Sequence, residues 1–406
     1  MFDRRFETRG LAFISDKQAA DLANAQIHPG DVLLNITGDG VTFGRACLVP
    51  DSVLPACVNQ HVSIIRPDPS SLDPGYLLSY LTHPSIKSYV ESFNAGGSRR
   101  AITKGHIESF DIPVPPLREQ RAIAALLQSI DDKIELNRRM NDTLDAIACA
   151  IFKSWFVDFD TVRSNQHGTR CFPSGFASSE IGIIPNGWRV GTVSELTETV
   201  LGGDWGRDAQ DSDATELALC IRGADIADLQ SGGLGKLPKR FLKKSSLATR
   251  RLQPQDLIIE ISGGSPTQST GRPVLITPGL LSRFKLPVTC SNFCRLVRLR
   301  DLRYSWFLYL WLRYLYARDE FLQYENGTTG IKNLAFTKFS ETHKLALPEV
   351  QVVTAFQNIA DPLFAMMQAN GAEIRTLEEG RDALLPKLVS GQIRIEQSES
   401  FVEVHA

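Results

Sequence analysis

The stretch from Pro115 to Phe156 opens with two prolines and then contains neither proline nor glycine. Pro116 suits the first turn of a helix, where its missing N–H costs nothing. Apolar or asparagine residues follow in strict 4-3-4-3 spacing: Ile123, Leu127, Ile130, Ile134, Asn137, Asn141, Leu144, Ala148, Ile151 and Trp155. Such a seam over about five heptads predicts a coiled-coil helix, on the order of 55–60 Å long.

The alternative for this segment is an amphipathic helix lying on its own domain. The two asparagines in the seam disfavour that alternative, because a buried Asn at such a position typically fixes the register and the partner of a coiled coil at a cost in stability. The seam therefore predicts a second helix elsewhere.

A second helix with the same spacing is predicted after Pro348. Asn370 stands where Asn141 stands in the first copy, while Gly371, Gly380 and Pro362 weaken the helix or kink it. The seam is Val352, Phe356, Ile359, Leu363, Met366, Asn370, Leu377 and Leu384.

The similarity between the two halves extends upstream of both helices. "HPGDVLLNITG" at 28–38 resembles "QPQDLIIEISG" at 253–263, "FGRACLV" resembles "TGRPVLI", and "PACVNQ" resembles "VTCSNF", which pairs Asn59 with Asn292. These matches keep their order at an offset between 225 and 233 residues. The order indicates a tandem duplication.

We therefore predict an α+β fold with two tandem α/β domains, each followed by a long α-helix. Two such helices can pack as an antiparallel coiled coil, and their length then sets the separation of the domains. The resulting pseudo-two-fold symmetry is typical of proteins that read a split target on DNA.

Charge is unevenly distributed along the chain. The net charge is −2, yet residues 236–313 contain 15 Lys and Arg against 3 Asp and Glu, whereas residues 1–116 contain 10 basic and 12 acidic residues. The basic segment is either a solvated face or a surface that faces phosphates.

No apolar run is long enough to span a bilayer, and no secretory signal begins the chain. The seven scattered cysteines favour a reduced, cytoplasmic setting. Cys290 and Cys294 lack a matching cluster at zinc spacing, and we interpret them as small strand residues.

We found no pattern that predicts catalysis. "GDGVTFGR" follows a predicted strand but lacks the Lys-Ser/Thr of a phosphate-binding loop. Asp256 and Glu260 have no nearby lysine, and the histidines lack metal-binding spacing. We expect no metal site, and the duplication favours recognition over chemistry.

The middle of the chain resembles the central conserved region of the specificity (S) subunits of type I restriction–modification systems. The resemblance is carried by "PVPPLREQRAIAALLQSIDDKIELNRRMNDTLDAIACAIFKSWFVDF" and by "SSEIGIIPNGWRVGTVSEL" after it. "LPEVQ…LLPKLVSGQIRI" resembles their distal conserved region, with Val350 where the first copy has a glutamate. The resemblance covers essentially the whole chain.

The resemblance implies two target recognition domains, each of which reads one half of a bipartite DNA site. It implies that the helices set the gap and dock two modification (methyltransferase) subunits, which bind S-adenosylmethionine and methylate adenine. Restriction subunits, which use ATP and Mg, would complete the nuclease, and this chain would not itself be an enzyme.

The domain boundaries that follow are 1–112 for the first recognition domain, 113–157 for the central helix, 158–183 for a linker, 184–347 for the second recognition domain, 348–392 for the distal helix and 393–406 for a tail. The second domain has about 50 residues before "GGLGKLPKRFLKKSS". The first domain lacks this piece, so we expect either a start further upstream or a truncation.

Loop residues are the DNA-binding candidates, because Arg, Asn and Gln can read base edges whereas Lys mostly pairs with phosphate. For each of them an ordinary surface role is the alternative. Arg45 and Arg272 recur in both repeats, which favours scaffold or phosphate contact over readout. The candidates are Arg45, Asn59, Gln60, Arg99, Arg100 and Lys104 in the first domain, and Lys239, Arg240, Lys243, Lys244, Arg250, Arg251, Arg272, Asn292, Lys332 and Asn333 in the second.

Three hypotheses remain open from the sequence. The first is a DNA-recognition subunit, and the second is a nuclease that acts alone through a dispersed active site. The third is a truncated or inactive subunit that serves only as a coiled-coil scaffold.

Overall fold

The computed structural model of the 406-residue chain describes residues 3–8, 10–38, 42–93, 100–164, 172–263, 269–327 and 332–395. The chain divides into two compact units. The first comprises Met1–Leu136 with Ile374–Ala406, and the second comprises Asn137–Glu373. Each long helix therefore contributes one half to each unit.

A small antiparallel sheet forms the centre of the first unit, with β1 between β3 and β4. The short strands β2 and β5 pair beside it, and Leu77, Leu78 and Leu81 of α2 pack on its apolar face. The elements are α1 (Asp16–Asp21), β1 (Val32–Asn35), β2 (Thr37–Gly38), β3 (Ala46–Leu48), β4 (Val62–Ile65), α2 (Pro74–Leu81), α3 (Pro84–Ser92), β5 (Arg100–Ala101) and α4 (Lys104–Glu108), with 3-10 turns at Ala23–Ala25 and Asp51–Val53.

The central helix α5 runs from Leu117 to Phe156. Its start is fixed by Gln120, which is fully buried. The Gln120 amide donates to the carbonyls of Ser71 at 2.9 Å and Pro115 at 2.8 Å, and its oxygen accepts the Asp73 N–H at 2.9 Å. The equivalent residue of the second copy, Gln351, is exposed, and among the described residues its side chain bonds only to Glu349.

The second unit contains a larger version of the same sheet, ordered β14-β12-β16-β9, and a second sheet, ordered β11-β10-β15. Three smaller pairings are β13-β18-β17, β19-β8 and β6-β7. The elements are α6 (Asp160–Arg163), β6 (Phe176–Ser179), β7 (Gly182–Pro185), β8 (Arg189–Thr192), α7 (Val193–Leu196), β9 (Thr197–Gly202), β10 (Glu216–Ile221), α8 (Ile226–Gln230), β11 (Lys239–Leu242), α9 (Lys244–Arg250), β12 (Leu257–Glu260), β13 (Ser262–Gly263), β14 (Pro273–Leu275), α10 (Pro278–Ser282), β15 (Val288–Cys290), β16 (Cys294–Leu299), α11 (Ser305–Ala317), β17 (Glu325–Asn326), β18 (Lys332–Leu334), α12 (Phe336–Thr342) and β19 (Lys344–Leu347), with 3-10 turns at Gly223–Asp225, Leu302–Tyr304 and Leu322–Tyr324.

Strand register preserves the sequence repeat. β1 lies between β3 and β4 as β12 lies between β14 and β16, and all four pairings are antiparallel. Val32 faces Ile65, and Leu257 faces Val297. These pairs give offsets of 225 residues on one strand and 232 on the other, so the duplication predicted from sequence is present in the fold.

A buried aspartate that pairs with an arginine is also repeated. Asp31 is fully buried and pairs with Arg66 at 2.7 Å, while Asp256 is 3 % exposed and pairs with Arg298 at 3.1 Å. Each carboxylate also accepts the backbone N–H three residues earlier, at 2.7 Å in both copies. The charge-assisted bonds tie the loop before the central strand to the neighbouring strand.

The second domain has strands without a counterpart in the described part of the first. β11 and α9 bury Leu242 and Leu247 against Ala218 of β10. In the first domain, the residues aligned with β11 lie outside any strand, and the Phe13 side chain is 97 % exposed. The smaller sheet of the first domain therefore leaves apolar side chains uncovered.

The distal helix α13 runs from Val350 to Val389 and is continuous through Pro362. In the first unit, Ile123 of α5 packs with Leu388 of α13, and in the second unit Phe152 packs against Phe356. The beginning of each helix thus meets the end of the other, and the expected antiparallel packing is confirmed.

Two buried asparagines bridge the helices. Asn370 Nδ2 donates to Asn141 Oδ1 at 2.9 Å. Asn141 Nδ2 donates to the carbonyls of Met367 at 3.2 Å and of Ser231 at 2.9 Å, and Ser231 belongs to the second α/β domain. One polar cluster therefore connects α5, α13 and the loop after α8.

The seam of α13 is displaced by one residue at Ile359, Leu363 and Met366, whereas its other predicted positions include the buried Val352, Phe356 and Asn370. Met366 is 50 % exposed, whereas Met367 is 2 % exposed, and Ala360 and Phe364 are buried beside it. A straight α-helix drifts by about 20° per heptad from a strict 3.5-residue repeat. The predicted seam extrapolated that repeat from Val352, so the drift moved the buried stripe to the next residue.

The predicted seam of α5 follows the observed burial more closely, because Ile123, Leu127, Ile134 and Asn141 are all buried. Ile130, Leu144 and Ile151 are half-buried, as are Ile359, Leu363, Leu377 and Leu384 of α13.

Replacing Asn141 with Leu should destabilise the protein without preventing folding. The substitution leaves the buried Asn370 amide without its partner, at a cost of about 1–3 kcal/mol. Urea unfolding of Asn141→Leu, Asn370→Leu and the double variant would measure this cost. Unchanged stability of both single variants would show that the bridge contributes nothing.

Replacing Gly371 with Ala should destabilise the packing of α13 against the loop after α8. A Cβ at Gly371 would lie 2.0 Å from the Gly232 carbonyl oxygen, and a forced shift of this kind costs about 1–3 kcal/mol. Gly380→Ala is the matched control, because its Cβ would enter open space and Ala stabilises a helix by about 1 kcal/mol over Gly. Equal effects of the two substitutions in urea unfolding would contradict the close contact.

Candidate nucleic-acid interface

The connection between β15 and β16 is a tight turn, Ser291–Cys294. The Cys294 N–H donates to the Ser291 carbonyl at 2.9 Å. The Phe293 carbonyl accepts the N–H groups of Ile261 at 2.9 Å and Ser262 at 3.3 Å, which ties the turn to β13. Asn292 is exposed and the Phe293 side chain is 52 % exposed, so the turn presents an amide and a ring to solvent.

The strand β18 lies next to this turn through β13. Ser262 pairs with Asn333, and Gly263 pairs with Lys332. Asn333 is exposed, and Lys332 Nζ lies 3.3 Å from Glu325. Three residues predicted from sequence, Asn292, Lys332 and Asn333, are therefore brought to one edge of the second domain.

The first domain repeats this arrangement. The Val62 N–H donates to the Asn59 carbonyl at 3.2 Å, and the His61 carbonyl accepts the Ile36 N–H at 2.9 Å. On β2 and β5, Gly38 pairs with Arg100 as Gly263 pairs with Lys332. The turn Asn59–Val62 and the strand β5 thus place exposed Asn59 and Gln60 beside Arg100.

The two turns correct the sequence alignment by one residue. The backbone bonds show that His61 is structurally equivalent to Phe293 and that Gln60 is equivalent to Asn292. The sequence pairing of Asn59 with Asn292 is therefore wrong. The sequence pairing matched identical residues in a short segment. The pairing of β1 with β4 and of β12 with β16 shows that the offset between the repeats is 232 residues at β4 and β16.

Arg272 forms a bidentate ion pair inside the second domain. Its Nε and Nη2 donate to Glu260 at 2.8 and 2.9 Å, and Glu260 is 4 % exposed. The hydrogen bond to Glu260 raises the pKa of the Arg272 guanidinium. Arg45 is half-buried at the equivalent position, and the glycines before both arginines have positive φ angles of 72° and 107°. The recurring Gly-Arg therefore belongs to a turn next to the central strand whose backbone conformation favours glycine.

Two arginines of the basic cluster also have structural contacts. Arg240 is 5 % exposed, lies 4.3 Å above the Trp205 ring, and donates to the Trp205 carbonyl at 2.9 Å. Arg250 Nε donates to the Gly202 carbonyl at 2.8 Å. These contacts connect β11 and α9 to the loop after β9.

The remaining members of the cluster lie at the surface. Within the ranges that the structure describes, no ion pair or side-chain hydrogen bond engages Lys239, Lys244 or Arg251, and all three are exposed. Lys243 lies 2.8 Å from Asp213. In the first domain Lys104 is exposed and lies 3.4 Å from Glu108, and Arg99 falls outside the described residues.

A surface groove that the sequence did not predict lies between β9, β16 and α12. Its volume is about 490 Å³, and its lining includes Arg295 and the hydroxyls of Ser194, Thr197, Thr337 and Ser340. The sequence signal for this groove was an arginine at an outward position of a predicted strand. Single charged residues on strands are too common for this signal to identify a binding groove.

Over the described ranges, His, Cys, Asp and Glu do not form any group of three or more that could hold a metal ion. In the same ranges, every helix is too short or too polar to cross a bilayer. The described cysteines are free thiols, and Cys290 and Cys294 lie on strands β15 and β16 as predicted.

Residues 6–146 match the family model of the type I restriction modification DNA specificity domain. The MjaIX specificity subunit of a type I restriction enzyme from Methanocaldococcus jannaschii is 26 % identical over 79 % of this chain and 69 % of its own length. The HindI specificity subunit from Haemophilus influenzae is 25 % identical over 91 % of this chain and 88 % of its own.

Among solved structures, the crystal structure of a type I restriction–modification S subunit from M. genitalium covers 92 % of this chain and 85 % of its own, at 16 % identity and a TM-score of 0.49. The resemblance to the specificity subunits of type I restriction–modification systems that was inferred from the motifs is confirmed by this family model and by these relatives.

Proposed function

We propose that this chain reads a bipartite DNA site, with one half bound by each recognition domain. The supporting observation is the repeated edge, in which a backbone-tied turn and a short strand present amides and a basic residue in each domain. Amide and guanidinium groups are the side chains that read base edges in a DNA groove.

We further propose that phosphate contacts come from the exposed part of the basic cluster. Lys239, Lys244 and Arg251 are exposed cations on β11, α9 and the following loop. Arg240, Arg250 and Arg272 have internal partners. They therefore position the surface, and the three exposed residues are left to contact phosphates.

The helices α5 and α13 are proposed to set the gap between half-sites and to dock two modification subunits. Met140, Ile147 and Met366 are 36 %, 42 % and 50 % exposed on the outer faces of the pair, where a partner helix could cover them. S-adenosylmethionine would be bound by the modification subunits, and ATP with Mg by the restriction subunits. In this proposal the chain has no catalytic role, and the complex acts in the cytoplasm.

In a second candidate function the first domain does not read DNA and serves only as part of a coiled-coil scaffold. It is favoured by the exposed Phe13 and by the acidic balance of residues 1–116. It predicts that duplex binding depends on the second domain alone.

Replacing Lys239, Lys244 and Arg251 with Ala should weaken duplex binding uniformly across DNA sequences. Each lost phosphate contact should reduce the slope of log K against log salt by about 0.9. Titration of a fluorescent duplex at several salt concentrations measures the slope. The matched control replaces Lys338, Lys344 and Arg303, which are exposed cations on other elements. Equal slopes for both triple variants would refute the assignment of the phosphate-binding surface.

A further inference from the structure

The turns Asn59–Val62 and Ser291–Cys294 share a two-residue pattern. At the same structural position, the first contains Gln60 followed by His61, and the second contains Asn292 followed by Phe293. Each turn thus exposes a carboxamide and then an aromatic ring, although the surrounding sequences differ.

Both pairs are held on rigid backbone. The carbonyls of His61 and Phe293 accept backbone N–H groups from the residue after the central strand, both at 2.9 Å. In the first domain the His61 ring is also fixed, because its Nδ1 lies 2.5 Å from Thr37 Oγ1. A backbone held in this way loses little further freedom on binding, which favours recognition.

Among the residues that the structure describes, the two carboxamides have no hydrogen-bond partner. Neither the Gln60 nor the Asn292 side chain is hydrogen-bonded to the rest of the described chain, so donor and acceptor are both available. The bidentate partner of Asn or Gln in the major groove is adenine, through N6 and N7, and an apolar ring such as Phe can contact the thymine methyl group.

We propose that these turns read an A·T pair in each half-site. Asn292 bonds the adenine edge in one half and Gln60 in the other, and the ring that follows packs on the neighbouring thymine methyl or base. The proposal rests on the DNA-reading function above and specifies its chemistry.

The test selects bound duplexes from a randomised pool with the purified full chain and then compares variants. Asn292→Ala should lose sequence preference at one position of one half-site only, and its affinity for the wild-type motif should fall about 5- to 100-fold. The salt slope should not change, because no phosphate contact is removed.

Conservative and control variants separate readout from folding. Asn292→Gln should keep the adenine preference, whereas Asn292→Asp should move it towards cytosine, whose N4 amino group a carboxylate accepts. Asn358→Ala, an exposed asparagine on α13, should leave the motif unchanged. Gln60→Ala should weaken the sequence preference in the other half-site. Phe293→Ala should weaken the preference in the same half-site as Asn292→Ala. Ile183→Ala on β7 is the apolar control for Phe293→Ala.

The outcomes distinguish this inference from the function on which it rests. A wild-type motif that is unchanged in Asn292→Ala, or that has no A·T pair in the affected half, would overturn the inference alone. A wild-type chain that selects no motif would overturn the proposed function and the inference together.

Discussion

The hydrogen bond between Asn141 and Asn370 is the interaction on which the helix pairing depends. Apolar side chains along α5 and α13 could pack in several registers, because neighbouring seam positions are similar in shape. The buried amides satisfy each other in one register, and Asn141 also bonds the Ser231 carbonyl of the second recognition domain. The same contact therefore fixes the register of the two helices and the position of that domain on them. Burying polar amides in place of apolar side chains has some cost in stability.

The two tandem domains are built on one repeated scaffold. A central strand, a buried aspartate paired with an arginine, and a glycine-arginine turn recur with the same backbone pairing. What differs is the chemistry of the turns and of the short strands beside them, namely Gln60 against Asn292 and Arg100 against Lys332. A shared backbone with different side chains is what the proposed reading of two different half-sites requires.

Much of this architecture could be predicted from sequence, because long-range periodicity and internal repetition average over many residues. The helix α5, the duplication and the facing asparagines depend on such patterns. The displaced seam of α13 could not be predicted, since a strict heptad ignores the drift of a straight helix over several turns. The burial of Arg240 on Trp205 was equally hidden, because the two residues are 35 positions apart and belong to different segments. The turn alignment failed by one residue because backbone bonds, not residue identity, define it.

The most direct test of the account is the pattern of DNA methylation that this chain is proposed to direct. Co-expression with a cognate modification subunit in a methylation-free host, followed by genome-wide mapping of N6-methyladenine, would show the site. The account predicts a split motif with two different halves and one fixed gap. A single half-motif or its palindrome would contradict it, because the first domain would then read no DNA and α5 and α13 would not set a spacing between two readers.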